Sequence, residues 1–312
     1  MANRDLSPSS RDNYEWALRI LSGELGKVRL RDLDIARIET AIDRIATGTT
    51  PGARGKPVSR RTLKLMRSTL AQVLDTAVRH KLIAANPARL AELTPTARKA
   101  EPRRALSPAE GAVLWDALAE ERLGNLFKLM LATGLRPGEA LGLCWDAVDL
   151  DAGELHVRRT VRRERGRAIL VEDLKTAASY RTIAIPAPAI DVLRDQRRAV
   201  AEAKLAARVW AKVDADLVFP TIQGTPWDLS NARDELTRIC ADAGLERVRP
   251  HELRHSAASI LSERGVPLEQ IADLLGHVDV TTLARVYRHR PRRAIDAAVG
   301  TMDDLFGARR GV

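Results

Sequence analysis

The chain has 312 residues, 45% of them apolar, which is enough to bury a full core and to divide into two domains. Its formal net charge of +10 favours a polyanionic partner, with nucleic acid the first candidate. No signal peptide opens it, no apolar run approaches membrane-spanning length, and there is neither a P-loop nor a GxGxxG turn; these absences argue against a membrane or nucleotide-driven protein and lead us to expect a cytoplasmic one. The two cysteines, Cys144 and Cys240, each sit in an apolar helical pattern without a CxxC neighbour, and read as small buried thiols. No His/Cys cluster has zinc spacing, so neither a metal nor another cofactor is expected.

The first ninety or so residues read as nearly all helix. Ser9 or Ser10 is placed to cap a helix through Tyr14, Leu18, Leu21 and Leu25. Leu33 to Ile45 repeats the pattern, and Thr47 to Pro57 reads as a loop. Ser59 then caps a long helix to about His80, with the apolar stripe Leu63, Met66, Leu70, Val73 and Ala77. Arg60, Lys64 and Arg67 fall on another face, which is either a solvated charged face or one lying along a DNA groove. Asn86-Pro87 ends this region. Thr94 to Arg104 carries charged side chains with no apolar period and reads as a linker. Ser107-Pro108-Ala109-Glu110 restarts order as a capping box with proline at the first helical position.

Glu154 to Thr160, Arg167 to Val171 and Tyr180 to Ile185 alternate apolar with polar, as strands do, with Gly166 at the first turn and Asp173 to Ser179 at the second. The expected fold is therefore mainly α with a small antiparallel β-sheet (α+β). It has two domains: a helical one over 1–93, a linker over 94–104, and a second domain over 105–312.

Three constellations suit phosphoryl chemistry. In Thr133-Gly134-Leu135-Arg136-Pro137-Gly138-Glu139, a helix ending at Gly134 and another opened by Pro137 put Arg136 at a junction where a guanidinium and backbone donors can face one anion, with Glu139 bracing Arg136. Lys175 sits at the tip of the second turn, followed by Arg181; either alone is as readily a solvated cation. His251-Glu252-Leu253-Arg254-His255 places His251 and Arg254 three apart on a helix. Leu275-Gly276-His277 and Tyr287, one of only three tyrosines, follow it. A hydroxyl nucleophile, imidazoles to move its proton and guanidinium groups to hold a phosphate make a coherent set.

From about Arg11 to Phe306 the chain resembles the tyrosine recombinases, the phage integrase family. Its motifs stand in family order: Thr-Gly-Leu-Arg-x-x-Glu at 133–139, the hairpin lysine at 175, His-x-Leu-Arg-His at 251–255, Leu-Gly-His at 275–277 and the tyrosine at 287. The helical 1–93 region, including its Ala77…Asn86-Pro87 ending, looks like the family's core DNA-binding (SAM-like) domain, and 105–312 like its catalytic domain with a C-terminal tail helix. The resemblance implies roles. Tyr287 would be the nucleophile that forms a 3′-phosphotyrosine link, and Arg136 and Arg254 would clamp the phosphate. Lys175 would protonate the leaving 5′ oxygen, His251 would act as base, and His277 would hydrogen-bond the phosphate. Apart from the resemblance, Arg60, Lys64, Arg67 and Arg181 are candidate DNA contacts on the strength of their charge.

The implied function is site-specific recombination of double-stranded DNA by a homotetramer on paired sites, with a possible host bending or directionality factor. A tyrosine-type topoisomerase and a silent DNA-binding accessory protein are the alternatives. Only about eight residues precede the first helix, so the expectation is an arm-less or N-terminally shortened member. In the tail, Ile295, Val299, Met302, Leu305 and Phe306 make an apolar face at helical spacing, which either packs on its own domain or, as the resemblance implies, docks on a neighbouring protomer.

Overall fold

The protein is described by a computed structural model that covers residues 8–49, 58–93, 104–164, 166–172, 180–211 and 215–275. It divides into two compact units, Met1–Pro102 and Arg103–Val312. No helix among the described residues is long and apolar enough to cross a membrane.

The first unit is built from α1 (Pro8–Leu25), α2 (Ile35–Thr47) and α3 (Arg60–Arg79). The helix starts follow side-chain caps. The Asp34 carboxylate accepts from the Arg37 N–H at 2.8 Å, and the Ser59 hydroxyl accepts from that of Thr62 at 3.2 Å. α1 begins at Pro8, earlier than Ser9 or Ser10, and proline is well suited to a first turn whose N–H groups lack helical partners. Its fully buried face is Ala17, Ile20 and Leu21, so of the predicted stripe Leu21 enters the core while Tyr14, Leu18 and Leu25 flank it. On α3 the core takes Leu74 in place of Val73, which is 39% exposed. At 3.6 residues per turn, Leu74 falls nearer the centre of the stripe set by Leu63, Met66 and Leu70.

The end of this unit is tied back onto α3. The Asn86 amide donates to the Ala71 carbonyl at 2.8 Å and to Asp75 at 2.7 Å, and its oxygen accepts from the Ala88 N–H. Arg89 meets the same Asp75 through two parallel hydrogen bonds.

The second unit begins with α4 (Pro108–Ala117), which opens on the predicted Ser107–Glu110 capping box. α5 (Gly124–Thr133) and α6 (Pro137–Leu141) follow. Five short strands come next: β1 (Val148–Asp149), β2 (Glu154–Val157), β3 (Thr160–Glu164), β4 (Arg167–Val171) and β5 (Arg181–Ala184). Four helices follow among the described residues: α7 (Ala187–Ala206), α8 (Leu229–Asp242), α9 (Pro250–Glu263) and α10 (Leu268–Leu275). α5 lies against both α7 and α9. Phe127, Leu129, Leu155, Ile183, Leu193 and Leu253 share one core, which joins sheet and helices.

The strands depart from the expected single sheet. Among the described residues β2 pairs β1 on one side and β5 on the other, whereas β3 and β4 form a separate two-stranded sheet, all antiparallel. The predicted strand 154–160 thus splits at Arg158-Arg159. Arg159 reaches Asp146 at 2.7 Å on one side and Glu172 at 3.0 Å on the other. The helix α6 also presses on the start of β3. A Cβ on Gly138 would lie 2.6 Å from the Thr160 hydroxyl and 2.7 Å from the Val161 carbonyl, so only glycine permits that approach. Cys240 lies within α8 as expected. Cys144 is instead in extended backbone bridged to Leu217. Both thiols are buried, and burial pushes both above the usual thiol range.

The exchange of adjacent residues on α3 is testable by urea unfolding. Leu74→Ala is expected to cost about 2–5 kcal/mol, as buried leucines do. Val73→Ala is expected to stay within about 0.5 kcal/mol of wild type. Equal losses at both positions would contradict the observed face.

Candidate active site

The site forms where four separated stretches of the second unit meet: the turn 134–139, the start of β5, the first turns of α9, and the end of α10. α5 ends at Gly134 in the left-handed conformation, with φ of 66°. A Cβ there would fall 2.5 Å from a Leu275 methyl carbon, so glycine is needed both for the turn and for the approach of α10. Arg136 follows in extended conformation, and Pro137 starts α6.

Glu139 is the centre of the arrangement, its side chain only 4% exposed. One oxygen accepts from Arg136 Nη1 at 2.7 Å and from Arg181 Nη1 at 3.3 Å. The other accepts from the Arg136 backbone N–H at 3.0 Å and from Arg181 Nη2 at 2.9 Å. Burial pushes the carboxyl upward. The Arg181 hydrogen bonds and charge, followed by the Arg136 donors, outweigh it and hold Glu139 below the usual carboxylate range.

Arg254 is 2% exposed on α9. Its Nη1 donates to the Gly134 carbonyl at 2.8 Å, and its Nη2 to the carbonyl of Leu275, the last residue of α10. A cation at that helix end also meets the negative end of the helix dipole. α9 itself starts under a carboxylate, as Glu252 accepts from the Arg249 N–H at 2.8 Å. His251, one turn before Arg254, is exposed and meets His255 edge-on, with ring centroids 5.1 Å apart.

Of the residues singled out from sequence, the structure thus brings together Arg136, Glu139 and Arg254, with His251 on the same helical turn as Arg254. Lys175, His277, Tyr287 and the tail residues lie outside the described residues. Arg181 is placed differently from the expected DNA contact. Its side chain is 8% exposed, both Nη atoms face Glu139, and Nε donates to the Leu274 carbonyl at 2.9 Å. The strand period carried a signal for this. Arg181 shares a face with Ile183 and Ile185, both buried, and an arginine on a buried strand face calls for a carboxylate partner. In the first unit, Arg60 and Lys64 are exposed on α3, while Arg67 Nη1 donates to the Ala91 carbonyl at 2.9 Å.

Residues 104–293 match the phage integrase family. The chain belongs to this family. The matched span contains Lys175, His277 and Tyr287 as well as the described part of the site. A tyrosine recombinase XerC-like protein of Caldanaerobacter subterraneus subsp. tengcongensis is 34% identical over 262 residues, covering 80% of this chain and 67% of its own length. An integrase of Streptomyces ambofaciens is 30% identical over 295 residues, covering 90% and 71%. The Tn1549 transposon integrase, solved in complex with transposon right end DNA, gives a TM-score of 0.78 at 20% identity and covers 97% of this chain and 96% of that one. This likeness concerns the fold, which is the family's helical one with small antiparallel sheets.

The lowered carboxyl of Glu139 makes a pH prediction. Its contribution to stability is complete above about pH 5 and is lost as pH falls through the depressed value. Glu139→Gln leaves two arginines facing an amide and is expected to cost about 3 kcal/mol at pH 7. In urea titrations at successive pH values, the gap to wild type should narrow towards pH 3. A gap that stays constant would show that the ionised carboxylate is not what stabilises the junction.

Proposed function

We propose that the chain is a site-specific DNA recombinase that cleaves and rejoins double-stranded DNA through a 3′-phosphotyrosine intermediate, without metal or nucleotide. The Tyr287 oxygen attacks the scissile phosphorus, and the bond to the 5′ oxygen breaks. The tyrosine proton passes to His251, and Lys175 supplies a proton to the leaving 5′ oxygen. Arg136 and Arg254 hold the non-bridging oxygens, with His277 hydrogen-bonded beside them. A phosphodiester gathers negative charge on its oxygens in the transition state, and guanidinium groups fixed in advance favour that charge without reorganising. The phosphotyrosyl ester conserves the bond energy, so a 5′ hydroxyl from either strand end can reverse the step.

One observation carries this reading. Arg254 is fastened to the carbonyl of Gly134, two residues before Arg136, although 118 positions separate the two arginines in the chain. That convergence gives the two cations of the family motif a common, largely buried base.

Residues 105–312 act as the catalytic domain and 1–93 as the core DNA-binding domain, joined by the linker 94–104. In this reading four copies join two DNA sites, each tail docks on a neighbour, and a host bending or directionality factor assists. The relatives named as integrases and recombinases support the recombination step itself.

The decisive experiment uses a nicked suicide duplex built on a site selected from randomised duplex DNA by binding to the full chain. Wild type should become covalently joined to it and Tyr287→Phe should not. Arg136→Ala and Arg254→Ala should each slow the joining by about 10²–10³-fold. Trapping by the phenylalanine variant would overturn the assignment of Tyr287. Binding without any trapping would favour an accessory DNA-binding protein, and relaxation of supercoiled DNA by a monomer would favour a topoisomerase.

The α3 cations divide into two expected behaviours. Replacing Arg60 and Lys64 by alanine should weaken DNA binding and lower its salt slope by roughly 0.9 for each phosphate no longer neutralised, with stability unchanged. Arg67→Ala should instead destabilise the first unit by about 1 kcal/mol, because the Ala91 carbonyl loses its donor. An unchanged salt slope in the double variant would remove Arg60 and Lys64 from the interface.

A further inference from the structure

Arg181 is an arginine on a strand face otherwise turned into the core, and none of the steps above uses it. A carboxylate offers about four acceptor positions, and Glu139 receives four donors, two from Arg136 and two from Arg181. Arg181 takes one side of the carboxylate with both of its Nη atoms. Arg136 meets it with a single guanidinium nitrogen, Nη1, and its backbone N–H. At the same time Arg181 Nε holds the Leu274 carbonyl, one residue before the carbonyl held by Arg254. Two consecutive carbonyls at the end of α10 are therefore each gripped by an arginine from a different element. The chain reaches His277 two residues later.

We propose that Arg181 is a positioning residue for strand cleavage: through Glu139 and the Leu274 carbonyl it fixes the Arg136 guanidinium and the end of α10 relative to each other. Without Arg181, two acceptor positions on a buried carboxylate lose their donors. The nearest cation, Arg136, then turns its second nitrogen onto Glu139 and away from the phosphate. The Leu274 carbonyl is released in the same event, so both sides of the phosphate site loosen together. Arg181 acts on the reaction without contacting DNA, which sets it apart from a surface cation.

The proposal rests on the recombinase reading, and its test separates the two. Single-turnover trapping of the nicked suicide duplex by the full chain is measured at saturating DNA, together with duplex affinity and the urea midpoint. Wild type must trap first; if it does not, the recombinase reading falls and this proposal with it, before any variant is compared. For Arg181→Ala, a positioning role gives a trapping rate lower by about a hundredfold, the effect of misplacing a reacting group by about 1 Å, with affinity retained. Arg181→Lys keeps the charge but not the planar fork, and should trap at an intermediate rate. It also decides the matter if the alanine variant does not fold. A merely structural role would reduce the amount of protein that reacts and leave its rate constant at the wild-type value. A DNA contact would weaken affinity and leave the saturated rate unchanged. Either result, or a wild-type rate in folded Arg181→Lys, overturns the proposal.

Discussion

Glu139 can remain ionised inside the second unit only while donors surround it, and those donors come from the turn after α5 and from the start of β5. A carboxylate stripped of water and left unpaired would take up a proton instead. The requirement therefore works in both directions. The arginines keep the charge on Glu139, and that charge fixes where the arginines sit. A buried ion pair of this kind contributes little net stability compared with an apolar core. What it supplies is orientation, because a guanidinium fork and a carboxylate fit in few ways.

The neighbouring carbonyls extend the same logic. Helices end with unsatisfied C=O groups, and the carbonyls of Leu274 and Leu275 on α10 accept from arginines of β5 and α9. Gly134 makes that possible. Its missing side chain lets the α5–α6 turn lie against Leu275, so one guanidinium on α9 reaches both. The phosphate chemistry assigned to Arg136 and Arg254 is thus built on backbone contacts that also hold the helices together.

Much of this was legible in the residues. The Ser59 and Ser107 caps, the Gly134 and Pro137 punctuation, and the Arg136–Glu139 brace depend on contacts within a few positions, where local stereochemistry governs. What was missed depends on neighbours far along the chain. The strand at 154–160 broke because α6 presses on Thr160 and because Arg159 is held between Asp146 and Glu172. Val73 and Leu74 are both apolar and lie almost equally far from the centre of the α3 stripe, so apolarity alone does not say that Leu74 is the buried one. Arg181 looked like a surface cation because its partners, Glu139 and Leu274, stand 42 and 93 positions away.

The separate pairing of the β3–β4 ribbon, whose base is packed against the core at Val161, has an evolutionary reading at its tip. Among the described residues its strands pair in the ladder with each other, and at Gly166, beside its turn, a side chain would meet nothing within 4 Å. Lengthening such a tip costs little chain entropy, about 0.6 kcal/mol for each doubling of the loop. It leaves the β1–β2–β5 register untouched. The tip of the ribbon is therefore a place in this domain where descendants can gain or lose residues while Glu139 and its arginines stay in place.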